Sequence, residues 1–287
     1  MFKDIMARFG KGSSRVDLVL SKTEIPLGER LEGELQLHGG SVDQTIQEIR
    51  IEFYFEIKSN DKVHTHLVAV IPYQASFLLR ADQKRRVPFY LNIPTDLPLS
   101  NPDIRYFFTT KLSIAGALDQ TDQDEIKILP PERLERILHA FYQLGLKEAS
   151  HSRFFNGETQ EFYFTPTVFL ADVASEVIFM VAMEPERVRL VLEMELMTTK
   201  EERFVDMEVT LPNHLISQPA TLVPYLQEAL NHLASVGRKQ NQKRKILGGI
   251  GGFAAEALGS LGDLFSKRSN QTAIGKFISQ ILGNDKK

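Results

Sequence analysis

Residues 47–58 read Gln-Glu-Ile-Arg-Ile-Glu-Phe-Tyr-Phe-Glu-Ile-Lys. Ile49, Ile51, Phe53, Phe55 and Ile57 alternate with Arg50, Glu52, Tyr54 and Glu56. Successive side chains of a strand point to opposite faces, so a period of two over this length predicts a strand with one face in a core and one in water. Such a strand belongs to an antiparallel sheet wetted on one side.

Shorter strand signals flank it at residues 15–22, 30–37, 65–73, 87–93, 106–114 and 125–129. Turn chemistry separates them, as at Pro26-Leu-Gly28-Glu29, Gly39-Gly40 and Asn60-Asp61. Short strands with frequent turns and no helical pattern between them predict a β-sandwich. Pro72, Pro88, Pro94, Pro98 and Pro102 cannot donate ladder hydrogen bonds and are expected at strand ends, edges or loops.

The period then changes. After Pro130-Pro131-Glu132, residues Leu134, Ile137, Leu138, Phe141 and Tyr142 fall at three-and-four spacing, and Gly145 offers a left-handed stop, which predicts a helix between two halves of the chain. Strand signals resume at 161–164, 173–183, 188–197 and 204–211. In the third of these, Val188, Leu190, Leu192, Met194 and Leu196 alternate with Arg189, Val191, Glu193 and Glu195, which predicts a second half-buried sheet with Arg189, Glu193 and Glu195 facing solvent. After Pro219 the helical period returns in Leu222, Val223, Leu226, Ala229, Leu230 and Leu233. The expected organisation is therefore an N-terminal sandwich over 1–130, a second β lobe opening with a helix over 131–218, and a helical tail over 219–287.

The tail carries the chain's strongest local charge. Arg238, Lys239, Lys243, Arg244 and Lys245 place five positive charges in eight residues, beside a small-residue stretch, Gly248 to Gly259, and the apolar positions Ile274, Phe277, Ile278, Ile281 and Leu282. A basic run next to an apolar stripe is either a solvated linker or a contact for a partner or an anionic membrane surface. The glycines and alanines permit close helix approach and hence homo-oligomer formation. Aromatic residues are not interleaved with the charges and the whole chain is acidic, with 34 Lys and Arg against 37 Asp and Glu, so nucleic acid is not expected as a partner.

Catalytic signals are missing. A chain without cysteine has no thiolate nucleophile, disulfide or cysteine-ligated metal. No phosphate-binding loop, dinucleotide fingerprint, nucleophile elbow or zinc-binding His-Glu-x-x-His is present. No catalytic, cofactor or metal site is therefore assigned. His64 and His66 stand two apart without a third ligand nearby. Asp119, Asp122, Asp124 and Glu125 lack the glycine and terminal glutamate of a calcium loop, so they are expected in a solvated turn with at most weak cation affinity. The first residues, with charges set among Phe2, Ile5, Met6 and Phe9, do not read as a signal peptide, which points to the cytoplasm, with peripheral contact to the inner face of the cell membrane if the tail engages it.

Several spaced segments resemble one family. Arg15-Val-Asp-Leu-Val-Leu20, Pro26-Leu-Gly-Glu-Arg-Leu-Glu-Gly33, Val87-Pro-Phe-Tyr-Leu-Asn-Ile-Pro94, Thr110-Lys-Leu-Ser-Ile-Ala-Gly-Ala-Leu-Asp119 with Asp122 and Asp124, the helix at 134–144 and Glu161-Phe-Tyr-Phe-Thr-Pro166 are similar, in that order, to the SpoOM sporulation-control family. The resemblance spans roughly residues 1–210. It implies a mainly β protein with two arrestin-like antiparallel β-sandwich lobes, a connecting helix and a C-terminal helical tail. It also implies a bacterial regulator or scaffold that binds other proteins without catalysis, as arrestin-like adaptors do, with sporulation or cell-division control as the process.

Overall fold

The computed structural model describes residues 13–59, 62–73, 76–156, 159–197 and 203–239. The chain divides into two compact units, residues 1–129 and 130–287. It is mainly β, with several antiparallel sheets and a helical C-terminal part.

In the first unit, β1 (Arg15–Leu20), β3 (Arg30–His38) and β7 (Lys84–Asn92) form a three-stranded antiparallel sheet. A six-stranded sheet runs β2 (Glu24–Pro26), β9 (Gln120–Leu129), β8 (Ile104–Ile114), β4 (Gln44–Ser59) and β5 (Lys62–Tyr73), with β6 (Phe77–Leu79) also pairing with β4. All pairings are antiparallel except β2 with β9, where Glu24–Pro26 run alongside Lys127–Leu129. The stretch at 47–58 is the middle of the long strand β4, and Ile49, Ile51, Phe53, Phe55 and Ile57 are all buried. Phe53 stacks on Phe108 of β8 at 4.7 Å between ring centroids, and Phe108 meets Phe89 of the other sheet edge-on at 5.5 Å. Offset and edge-on aromatic pairs contribute about 0.5–1.5 kcal/mol beyond their buried area, so these rings fasten sheet to sheet. Pro72 and Pro88 lie in β5 and β7, both at the ends of their sheets, where a missing N–H leaves no gap in a ladder.

One glycine sets the closeness of a turn. Gly39 follows β3 and packs on the backbone that enters β7, with its N–H donating to the Gln83 carbonyl at 2.7 Å. A Cβ there would stand 2.0 Å from the Arg80 carbonyl oxygen and 2.9 Å from the Gln83 nitrogen. Only a residue without a side chain permits that approach.

The second unit opens with α1 (Glu132–Gln143), which buries Leu134, Ile137, Leu138, Ala140 and Phe141. Gly145, at φ +77°, ends it in the left-handed conformation that glycine adopts without steric cost. An antiparallel sheet follows in the order β10 (Leu146–Glu148), β12 (Gln160–Pro166), β13 (Ala174–Met183), β14 (Arg187–Leu196) and β15 (Arg203–Pro212), with β11 (Phe154–Phe155) also on β12. After α2 (Asn213–Ile216) comes α3 (Pro219–Lys239), which packs on α1, β14 and β15. Phe141 of α1 lies 5.0 Å from both Phe164 and Phe179, so helices form the layer on that face of the sheet. Within 219–287 the described part, α3, is thus docked on the second unit through Leu222, Leu226, Leu230 and Leu233. Arg133 Nη1 ties the start of α1 to the β13–β14 turn, donating to the Glu184 carbonyl at 2.6 Å and to Asn213 Oδ1 at 2.8 Å.

Candidate functional site

The outer face of β4 carries the alternating polar residues of the 47–58 stretch, and the structure shows them bonded to one another. Glu52 Oε2 accepts from Lys111 Nζ at 2.7 Å and from Tyr54 Oη at 2.5 Å, while Arg50 Nη1 lies 3.6 Å from Oε1. Burial disfavours the Glu52 anion, yet the hydrogen bonds from Lys111 and Tyr54 outweigh it and hold the carboxyl below its ordinary range. The same bond, with burial, pushes the Tyr54 hydroxyl up to about 12. Arg105 Nη2 pairs with Glu56 at 2.7 Å, and Tyr54 stacks on Phe107 at 5.3 Å. This face is a closed polar network, with its charges already paired.

The free side of β5 is different. Among the described residues β5 pairs with β4 alone, so one side of a 12-residue strand has no partner strand there. From Val63 to Ile71 it reads Val-His-Thr-His-Leu-Val-Ala-Val-Ile, without a charged residue or proline. Val63, Leu67 and Val70 lie opposite Lys58, Tyr54 and Glu52 on the outer face and are 58%, 41% and 45% exposed. His64 and His66 lie opposite Ile57 and Phe55 on the inner face, and burial lowers the His66 ring below its ordinary range. The two histidines do share a face, and no third acidic or histidine ligand joins them among the described residues.

A second feature is acidic. Residues 120–129 form a strand, β9, in place of the solvated turn expected around Asp122, because Thr121, Gln123 and Glu125 take the solvent face while Asp122 and Asp124 turn inward in line with Ile126 and Ile128. Asp122 Oδ2 accepts the Leu18 N–H at 3.0 Å, which joins β9 to the open side of β1. Asp17 of β1 completes a cluster in which one carboxylate oxygen from each of Asp17, Asp122 and Asp124 lies within 4.8 Å of the others. Burial first, then the charge of Asp122, a hydrogen bond with it and the charge of Asp17 push the Asp124 carboxyl up to about 7. Asp119 stays outside the cluster and accepts from the Ser113 hydroxyl and the Ile114 N–H.

Against this geometry the comparisons with known proteins can be set. A family model described as SpoOM protein matches residues 2–197. The chain belongs to the SpoOM family. Among curated proteins it is 26% identical over 177 residues to the sporulation-control protein spo0M of Bacillus subtilis (strain 168), covering 58% of this chain and 69% of that protein. The crystal structure of Spo0M, sporulation control protein, from Bacillus subtilis matches with a TM-score of 0.59 at 21% identity, covering 78% of this chain and 99% of that one, a likeness of fold.

In this SpoOM family member the second sheet departs from the pattern expected of a half-wetted strand. Arg189 and Glu193 are buried and do not form a solvent-facing surface with Glu195. The reason is that β14 is closed on both faces along most of its length. Arg189 instead pairs internally, with Glu184 at 2.7 Å and Glu208 at 3.2 Å. On the same face Glu161 is fully buried and accepts from the Tyr163 hydroxyl and from Asn156 Nδ2. Burial raises its carboxyl above the ordinary range against those two bonds. A carboxyl raised on folding binds more protons in the folded than in the unfolded chain, so stability falls as pH rises from about 4.3 towards the raised value and then levels off. Glu161→Gln removes the titrating carboxyl, keeps one oxygen acceptor and turns the other oxygen into an amide NH2 from which the Tyr163 hydroxyl oxygen can accept. Chemical denaturation across this range is expected to show a flatter pH profile for the variant than for the parent.

Of the basic residues, Arg238 and Lys239 close α3, with side chains outside the described residues, and Lys243, Arg244 and Lys245 lie outside the described residues altogether. So do the glycine-rich and apolar parts of the tail and the N-terminal apolar stripe. Among the described residues no helix is long and apolar enough to cross a membrane. The carboxylate cluster was missed by sequence reading because Asp17 stands over a hundred residues from Asp124. The alternation of residues 120–128, continuous with Ile126 and Ile128, was the signal that could have found the inward pair.

Proposed function

We propose that this SpoOM family member is a non-catalytic regulatory scaffold that takes up an extended segment of another protein as an added strand on the free side of β5. The observation that carries the reading is the composition of that edge. Sheet edges are commonly blunted by lysine, proline or inward charge, and nine consecutive positions from Val63 to Ile71 carry none of these. Main-chain hydrogen bonds would supply the affinity, and side chains resting on Val63, Leu67 and Val70 the choice of sequence. The partner segment that fits is uncharged and apolar at alternate positions, because the neighbouring charges of β4 are already paired with one another. The SpoOM membership and the absence of catalytic motifs in the sequence support regulation over chemistry.

A photo-crosslinking residue placed at Leu67 in the native host is expected to yield a discrete protein adduct, and one at Val168, 82% exposed in the second unit, is not. The purified adduct partner should lose about tenfold or more in affinity for the Leu67→Glu, Val70→Glu double variant, whose melting temperature stays unchanged since both positions are exposed. Equal binding by parent and variant would refute strand addition at β5. The alternative, attachment to an anionic membrane through Arg238 to Lys245, rests on sequence alone and makes a separate prediction. Vesicle co-sedimentation would then be lost on removal of residues 240–287 and unaffected by the β5 substitutions.

A further inference from the structure

We propose that Asp17, Asp122 and Asp124, backed by the Thr110 hydroxyl, form a calcium-binding site that fastens β1 to β9. Three carboxylates converge where the open side of the three-stranded sheet meets the exposed stretch of β9, and their oxygens stand within 4.8 Å of one another. Calcium accepts irregular sets of oxygen ligands at about 2.3–2.6 Å, whereas magnesium, at about 2.0–2.1 Å, demands near-octahedral geometry. Carboxylates brought together from two strands of different sheets, open to solvent on one side, suit the more tolerant ion.

Thr110 is the independent observation. It is fully buried, and its Oγ1 has no hydrogen-bond partner among the described residues. It lies on the inner face of β8, directly opposite Asp122 on one side and Ile51 on the other, with Phe108 and Leu112 next along its own strand on that face. Asp122 is the polar group among these neighbours within its own sheet, so Thr110 stands beside the acidic cluster on the inner face. A buried hydroxyl without a partner costs about 1–3 kcal/mol, and as a ligand its lone pairs would be used. Asp124 Oδ2 is likewise buried, with no hydrogen-bond donor from outside the carboxylate cluster. The Leu18 N–H fixes one oxygen of Asp122 and so orients the carboxylate, while Asp17 is exposed and leaves an open side for water and for ion exchange.

The test is calorimetric titration of calcium chloride into the full chain, stripped with chelator and held at about pH 8. One calcium per chain is expected, with a midpoint in the range of about 0.1–1 mM and a higher melting temperature when bound. Magnesium should bind more weakly. Asp124→Asn is expected to weaken binding about tenfold or more, and Asp17→Asn likewise. The latter replaces an exposed side chain, so it reports on the site even if Asp124→Asn fails to fold. Thr110→Val keeps the side-chain volume and should also weaken calcium binding. Absence of both heat and melting shift at about 1 mM calcium overturns the site. Unchanged affinity in both aspartate variants overturns its location, equal affinity in Thr110→Val removes the hydroxyl from it, and tighter binding of magnesium overturns the choice of ion.

Discussion

Phe179→Ala is expected to remove about 3–5 kcal/mol from the stability of the second unit, the range for deleting a fully buried aromatic ring. Phe179 sits in the middle of the sheet on β13 and is inaccessible to solvent. Its ring stacks on Phe162 at 4.7 Å and Phe164 at 5.8 Å, and Phe141 of α1 comes down on it at 5.0 Å. Truncation to alanine therefore opens a cavity between the sheet and its helical cover, and the three remaining rings lose a shared neighbour. The sheet backbone is held by pairing on both sides of β13 and cannot collapse far into the gap, which places the loss towards the upper end. Phe154→Ala, at a ring 43% exposed on the short strand β11, is the matched control and should cost well under half as much. Amide hydrogen exchange under increasing denaturant reads the effect unit by unit. A loss below about 1 kcal/mol in residues 130–239 would mean that the aromatic cluster is not the keystone of this packing.

Gly39→Ala is the second large effect, and its cause is backbone rather than core. The added methyl would meet the Arg80 carbonyl oxygen at 2.0 Å and the Gln83 and Asp82 nitrogens at 2.9 and 3.1 Å. No side chain can swing aside to relieve those contacts. The Gly39 and Gln83 pair at 2.7 Å and the Asp82 N–H bonded to the Gly40 carbonyl at 3.0 Å must lengthen or break, and with them the entry of β7 into its sheet. A destabilisation of roughly 3 kcal/mol or more is expected, measured as a lower denaturation midpoint of the first unit. Gly116→Ala tests the argument from the other side. Gly116 adopts φ +68° with open space around it, so alanine there meets only the left-handed backbone penalty of about 1–2 kcal/mol. Equal losses at the two positions would show that conformational strain, and not steric approach, governs Gly39.

How far the sequence exposed the fold depends on where period two was clean. At 47–58 it was, and β4 lies where the alternation puts it, while the weaker signal at 106–114 still placed β8, with Phe53 and Phe108 meeting in the core. The helix stop at Gly145 was legible because a left-handed residue has a chemical signature. The residues of β14 alternate just as cleanly, yet Arg189 and Glu193 are buried, since a one-chain pattern reports which side chains are polar and not whether polar side chains find partners away from water. Asp122 and Asp124 failed for the opposite reason. Acidic residues have low strand propensity and read as a turn, and the bond that draws Asp122 inward comes from the distant Leu18 N–H. The short strands β2, β6, β10 and β11, of two or three residues each, have too few positions for any period to show.

The parallel pairing of Glu24–Pro26 with Lys127–Leu129 has a consequence for how the protein is made. A ribosome adding about 5–20 residues per second needs roughly 5–20 s to travel from the first of these segments to the second. Throughout that interval the early segment has been synthesised but its mate has not. Closure of the first unit thus waits for its final residues, and a nascent polypeptide stalled before Lys127 leaves this side of β2 unpaired until translation resumes.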